Sequence, residues 1–138
     1  MSSKTIMITG ATSGFGEACA RLFASHGWQL ILTGRRQQRL DDLQQELGGK
    51  DKVATCCFDV TDRKAVESAI NSLSEPFKKI DVLLNNAGLA LGLEPAHETN
   101  LDDWEKMVDT NIKGLLYCTR TVLPMMTERQ SGKTVRVQ

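Results

Sequence analysis

The run Thr9-Gly10-Ala11-Thr12-Ser13-Gly14-Phe15-Gly16 follows an apolar segment, Thr5–Thr9, and leads into a helical pattern. Glycines at 10, 14 and 16 let a pyrophosphate approach the backbone closely, because no Cβ stands in the way. A helix starting there presents free N–H groups and the positive end of its dipole to phosphate oxygens. Gly10, Thr12, Ser13, Gly14, Phe15 and Gly16 are therefore candidate phosphate-facing residues; the plainer alternative is a tight strand–helix connection. In dinucleotide-binding units an acidic residue roughly 20 positions past the glycine turn holds the adenosine ribose. Here the corresponding stretch reads Thr33-Gly34-Arg35-Arg36, with two guanidinium groups and no carboxylate. A carboxylate repels a 2′-phosphate, whereas Arg binds it through bidentate, charge-assisted hydrogen bonds. Arg35 and Arg36 thus point to NADP over NAD. Their alternative role is as solvated charges at a helix start, where cations are mildly unfavourable.

Two further places carry chemistry. Asp59-Val60 follows a third apolar run, and on sequence alone Asp59 reads equally as a turn residue. Asn85-Asn86-Ala87-Gly88 follows Ile80–Leu84, and its Ala and Gly are small enough for close approach to a sugar. The two glycine-bearing turns, in this order, resemble the short-chain dehydrogenase/reductase family, whose first motif is T-G-x-x-x-G-x-G. The likeness covers residues 4–132. It implies that the Asp59 carboxylate takes the adenine exocyclic amine while Val60 packs on the ring. It implies that Asn86, Ala87 and Gly88 pass near the adenosine ribose and tie the sheet together through side-chain to backbone hydrogen bonds. Asn111 matches a helix asparagine whose backbone carbonyl holds a water of the proton relay; mid-helix Asn is disfavoured by propensity, so a local reason for it is expected.

Within the family, Asn85–Gly92, Glu94-Pro95-Ala96-His97 and Gly34-Arg35-Arg36 are similar to the NADP-dependent dehydrogenases of 3-hydroxy acids such as serine and allo-threonine. The implied activity is hydride transfer between NADP and a small 3-hydroxy acid. The family's acid–base group is a Tyr in Y-x-x-x-K, preceded by a Ser. The single tyrosine here, Tyr117, has Thr121 four positions on and reads as a packing residue. The expectation is that the catalytic Ser, Tyr and Lys fall beyond Gln138. The chain alone then binds nucleotide or pairs with a subunit without turnover. Val135-Arg136-Val137 is similar to a later strand of the family, and Arg136 is awkward in a buried strand because an unpaired buried charge is costly. A tail joined from a later segment is the corresponding expectation.

Around these residues the chain alternates strand and helix patterns. Strands are expected at Thr5–Thr9, Gln29–Thr33, Val53–Phe58 and Ile80–Leu84, with a last one over Lys133–Val137. Helices are expected from Gly14 to about Ser25, over Gln37–Leu47, from Asp62 (capped by Thr61) to about Ser72, and from Asp102 to about Thr127. Ala18, Leu22 and Phe23 are the core candidates of the first helix. Trp104, Met107, Val108, Ile112, Leu115, Leu116 and Val122 are those of the last, where Pro124 predicts a kink or an early end. Repeated strand–helix units imply an α/β fold: the N-terminal five-strand portion of a Rossmann-type doubly wound parallel sheet, as one NADP-binding domain over 1–138.

The 138 residues suffice for one core. The formal net charge is zero, which gives no bulk pull toward nucleic acid or an anionic membrane. The apolar runs are strand-sized, and the start at Met1-Ser2-Ser3-Lys4 leaves no room for a secretory segment, so a cytoplasmic address is expected. Cys56 and Cys57 are adjacent and would point to opposite faces of a strand, which suits neither a disulfide nor a chelate. Cys19, Cys56, Cys57 and Cys118 read as thiols in a reducing compartment, and no metal site is expected. Association is expected through an exposed sheet edge or as a homo-oligomer.

Overall fold

The computed structural model describes residues 3–12 and 14–136. Ser13, one of the candidate phosphate-facing residues, lies outside them, as do Val137 and Gln138 of the expected last strand. Five strands form one sheet: β1 (Thr5–Ile8), β2 (Gln29–Gly34), β3 (Val53–Cys57), β4 (Val82–Asn85) and β5 (Lys133–Arg136). Their spatial order is β3-β2-β1-β4-β5, and every pairing is parallel. Thr5 pairs with Gln29 on one side of β1, and Ile6 with Val82 on the other. The order reverses between β1 and β4, which opens a crevice at the carboxyl ends of the strands.

Both faces of the sheet are covered at β1 and β2, as their uninterrupted apolar runs require. Successive strand side chains alternate between faces. Ile6, Ile8, Leu30 and Leu32 accordingly pack with Ala20 of α1 (Gly14–Ser25) and with Leu40 and Leu43 of α2 (Gln37–Glu46). Met7, Ile31 and Leu83 pack on the other side with Val66 and Ile70 of α3 (Arg63–Asn71), and with Phe77 of the one-turn α4 (Glu75–Lys78). That layer is closed by α5 (Leu101–Val108), a π-helical segment (Asp109–Gly114) and α6 (Leu115–Arg129), which run on without a break.

Several local expectations are corrected. In α1 the buried residues are Gly16 and Ala20, while Ala18 and Leu22 are exposed. The rotation of the helix is set by Gly16, which must sit against the Gly10 turn, and that contact outranks the apolar stripe. Asp62, not Thr61, caps α3 by accepting a hydrogen bond from Ala65 N at 3.1 Å. Thr61 is turned away because both its N–H and its hydroxyl donate to Asp59. Pro124 does not end α6, which continues to Arg129. Of the core candidates in the last helix only Val122 is fully buried; Trp104, Val108, Ile112 and Leu116 are exposed. The burying face is instead Gly114, Cys118, Val122 and Met126, at four-residue spacing. Strand β5 is exposed along its length, so Arg136, opposite Asn85, carries no burial penalty.

Candidate functional site

A cleft of about 530 Å³ opens at the carboxyl ends of β1 to β4. Its wall takes Gly10 and Thr12 from the turn after β1, and Thr33, Gly34, Arg35 and Arg36 from the end of β2. Phe58, Asp59 and Val60 follow β3, Asn86 to Leu89 follow β4, and Thr110 comes from the π-helical segment. Four strand-end turns thus converge because a parallel sheet places every strand-to-helix turn on one side, and the π-helical segment adds a fifth segment.

The three motif glycines do different work. Gly14 has φ +55° and nothing within 4 Å of where a Cβ would stand, so it supplies left-handed backbone beside open space. Gly10 also has positive φ, and a Cβ there would lie 3.0 Å from Ala87 Cα. A Cβ on Gly16 would overlap the Gly10 carbonyl oxygen and stand 2.5 Å from Asn86 Nδ2. Gly10 and Gly16 are therefore also packing glycines that let α1, the first turn and the β4 turn nest together. Gly14, Phe15 and Gly16 are not part of the cleft wall, and Phe15 is exposed.

Thr9 joins the two turns, a role the sequence reading missed by treating it as a strand residue. Its Oγ1 accepts hydrogen bonds from Asn86 N (3.0 Å) and Ala87 N (2.9 Å), while Asn86 Nδ2 donates to the Gly10 carbonyl at 3.0 Å. The hydroxyl of Thr33, also unassigned from sequence, is buried at the cleft wall without a hydrogen-bond partner among the described residues. A buried polar atom left unpaired is costly unless a ligand or water completes it.

Arg35 and Arg36 are exposed at the cleft, and neither is within ion-pair distance of a carboxylate among the described residues. Arg36 occupies the N-cap of α2 in extended conformation, with no side-chain cap and no acidic residue in the first turn. Free helix N–H groups and two cations without a carboxylate partner among the described residues give this corner a positive character. Asp59 fulfils its turn role and still faces the cleft: its Oδ1 accepts from Thr61 N (2.9 Å) and Thr61 Oγ1 (2.8 Å). Its second oxygen has no donor among the described residues.

Asn111 has the local reason its mid-helix position demands. Its Oδ1 accepts from Leu89 N at 2.7 Å and its Nδ2 donates to the Leu89 carbonyl at 2.8 Å, clamping the loop after β4 onto the helix. It sits in the π-helical segment, whose wider turn is a recurrent feature of functional sites. The neighbouring Thr110, not Asn111, lines the cleft.

Among the described residues, the cleft wall holds no histidine, tyrosine, lysine or cysteine. His97 is exposed in a short 3-10 turn, Ala96–Glu98, outside the cleft wall. Tyr117 is partly buried on α6. Burial pushes the Cys56 thiol up to about 11 and the Cys118 thiol up to about 12. No described group of His, Cys, Asp or Glu could hold a metal, and no described helix is long and apolar enough to cross a membrane.

The sequence pattern that defines the short chain dehydrogenases matches residues 4–138. Sulfoacetaldehyde reductase 2 of Chromohalobacter salexigens is 52% identical over 133 residues, which are 96% of this chain and 53% of that protein. An NADP-dependent 3-hydroxy acid dehydrogenase of Salmonella typhi is 52% identical over 132 residues, 96% of this chain and 52% of the relative. The chain spans about half the length of the curated relatives it matches. Among solved structures, the closed form of a serine dehydrogenase complexed with NADP+ superposes with a TM-score of 0.92 at 50% identity, covering 96% of this chain and 52% of that one.

Proposed function

The chain belongs to the short chain dehydrogenase family, and from that premise we propose that it forms the NADP(H)-binding half of an oxidoreductase acting on a small 3-hydroxy acid such as serine. The observation that carries the cofactor part is the unpaired Arg35–Arg36 corner at the uncapped start of α2, in a cleft wall whose single carboxylate, Asp59, lies at the end of another strand. The 2′-phosphate sits in that corner, where charge-assisted hydrogen bonds and the helix N-terminus act together. Asp59 and Val60 hold the base, Asn86, Ala87 and Gly88 follow the ribose, and the pyrophosphate crosses Gly10, Thr12, Ser13, Gly14 and the start of α1, beside Phe15 and Gly16. The buried hydroxyl of Thr33 and the side-chain-free positions 34 and 88 fit a polar ligand pressed against this wall. When bound, the nicotinamide accepts or supplies a hydride.

Asn111 is the proton-relay position of the same reading, held in place by its pair of bonds to Leu89. The given sequence has no Tyr-x-x-x-Lys, and Tyr117 lies outside the cleft wall, so the part of the reaction its residues supply is the holding of the cofactor. The substrate class rests on relatives named for a 3-hydroxy acid and a sulfonated aldehyde, both small anions bearing a hydroxyl or carbonyl. A cytoplasmic address, supported by four free cysteines, and self-association through α5 and α6 complete the proposal. Titration with NADPH, followed by fluorescence, tests binding; absorbance at the reduced nicotinamide band with serine present then tests turnover. Saturable NADPH binding is expected. No saturable NADPH binding refutes the cofactor reading, and serine-dependent turnover lost on Gly14→Val would place the acid–base group within these residues.

A further inference from the structure

Gly114 stands in mid-helix with ordinary right-handed geometry, φ −59° and ψ −43°. Backbone freedom therefore does not explain it, and glycine is disfavoured in a helix interior. Its surroundings do explain it. A Cβ at 114 would lie 2.6 Å from Val60 Cγ2 and 2.9 Å from Val60 Cβ, distances at which something must move. Gly114 is buried, and Val60 is 8% exposed and lines the cleft.

The same short segment reaches the opposite wall. Thr110 lines the cleft, and Asn111 holds both backbone polar groups of Leu89, another lining residue. Residues 110, 111 and 114 thus connect the β3-derived wall at Val60 to the β4-derived wall at Leu89 through one helical turn.

We propose that Gly114 is a positioning residue for the nucleotide: its missing side chain lets the π-helical segment seat directly on Val60 and thereby sets the spacing between the base-side and loop-side walls. The inference rests on the reading that Val60 faces the adenine ring. A methyl group at 114 has two outlets. It drives Val60 into the space the base occupies, or it lifts the segment and carries Thr110, Asn111 and Leu89 away with it. Either movement changes the cleft rather than only the core.

The test measures the affinity of 2′,5′-ADP, which contains the base and the 2′-phosphate but no nicotinamide, by calorimetry on the chain and its variants, with thermal melts in parallel. Gly114→Ala is expected to weaken binding about tenfold, the scale of overpacking converted to a binding ratio. Val60→Ala should weaken binding a few-fold in the original background. In the Gly114→Ala background the same substitution should strengthen it, because the clash is relieved. That reversal of sign separates positioning from a general loss of stability, which leaves the affinity of the folded fraction unchanged. Unchanged affinity in Gly114→Ala with a lowered melting temperature overturns the inference. So does a Val60→Ala effect of the same sign in both backgrounds. If Gly114→Ala shows no cooperative melt, Val60→Ala and the double variant decide: a methyl behind the shortened residue 60 supports the wall and keeps affinity at least equal, and a weaker double variant overturns the inference. Absence of 2′,5′-ADP binding by the unmodified chain is a different failure, since it removes the cofactor site on which the inference stands.

Discussion

At Arg35 and Arg36, what the guanidinium groups lack matters to a 2′-phosphate as much as where they lie. Neither meets a carboxylate among the described residues, and the helix start beside them is uncapped. Each charge-assisted contact to a phosphate contributes roughly 1.5–3 kcal/mol, toward the lower end at an exposed site. Arg35→Ala with Arg36→Ala should therefore weaken NADPH much more than NADH, and equal losses in paired titrations would discard the 2′-phosphate assignment. Position 34 supplies the reverse experiment. A Cβ on Gly34 meets Thr12 Cγ2 at 3.4 Å and Leu40 Cδ2 at 3.5 Å, ordinary contact distances, and its φ is not in the left-handed region. Gly34→Asp should fold, repel the 2′-phosphate and bring a ribose acceptor into the cleft, so the NADPH:NADH affinity ratio should fall. A ratio left at its original value would show that residue 34 does not face the ribose.

Among the elements, α3 shows how a local bond decides a boundary. Asp59 draws both donors of Thr61 into a turn, which leaves Asp62 to cap the helix through Ala65 N. An N-cap aspartate replaced by alanine typically costs about 1 kcal/mol. Asp62→Ala is expected to lower the unfolding free energy from urea titration by that amount, while Thr61→Ala, which leaves the cap intact, changes helix stability less. The opposite ranking would restore Thr61 as the cap. The last helix makes a second point about elements: its π-helical turn shifts the register so that Asn111 reaches Leu89 while Gly114 meets Val60.

For the whole molecule, the core between the sheet and α3 and α6 encloses two thiols whose charged forms are excluded. Burial raises Cys56 to about 11 and Cys118 to about 12 from an ordinary thiol value of 9.0. The unfolded chain releases these protons first, so the stability tied to the neutral thiols is whole below pH 9.0 and declines as pH rises through 11 toward 12. Urea midpoints measured upward from pH 9.0 should fall more steeply than those of Cys56→Ala with Cys118→Ala, and parallel slopes would show that the thiols ionise alike in both states. Outside the core, Trp104, Val108, Ile112 and Leu116 recur at every fourth residue and remain exposed, with Leu123 beyond them. Contiguous apolar surface of this kind favours association. Sedimentation should show a concentration-dependent dimer or larger species that Ile112→Glu with Leu116→Glu returns to monomer. A monomer at all concentrations would contradict it.

The alternation of strands and helices, the parallel sheet and the positions of both turns were legible in the sequence, because apolar periodicity and glycine placement are local constraints. The position of the arginine pair was legible too, since Thr33-Gly34-Arg35-Arg36 sits at the carboxyl end of a strand whatever packs around it. What each motif glycine does was not legible: only the approach of the β4 turn makes Gly10 and Gly16 packing positions and leaves Gly14 open. The buried face of α1 was decided by that same approach, against its own apolar pattern. Thr9 and Thr33 look like strand residues until the fold brings Asn86 to one and leaves the other unpartnered. The exposed stripe on α5 and α6 reads as core from its spacing, since periodicity reports that a face is apolar but not what covers it. Contacts between residues far apart in the chain answered that question, and they exist only once the sheet is assembled.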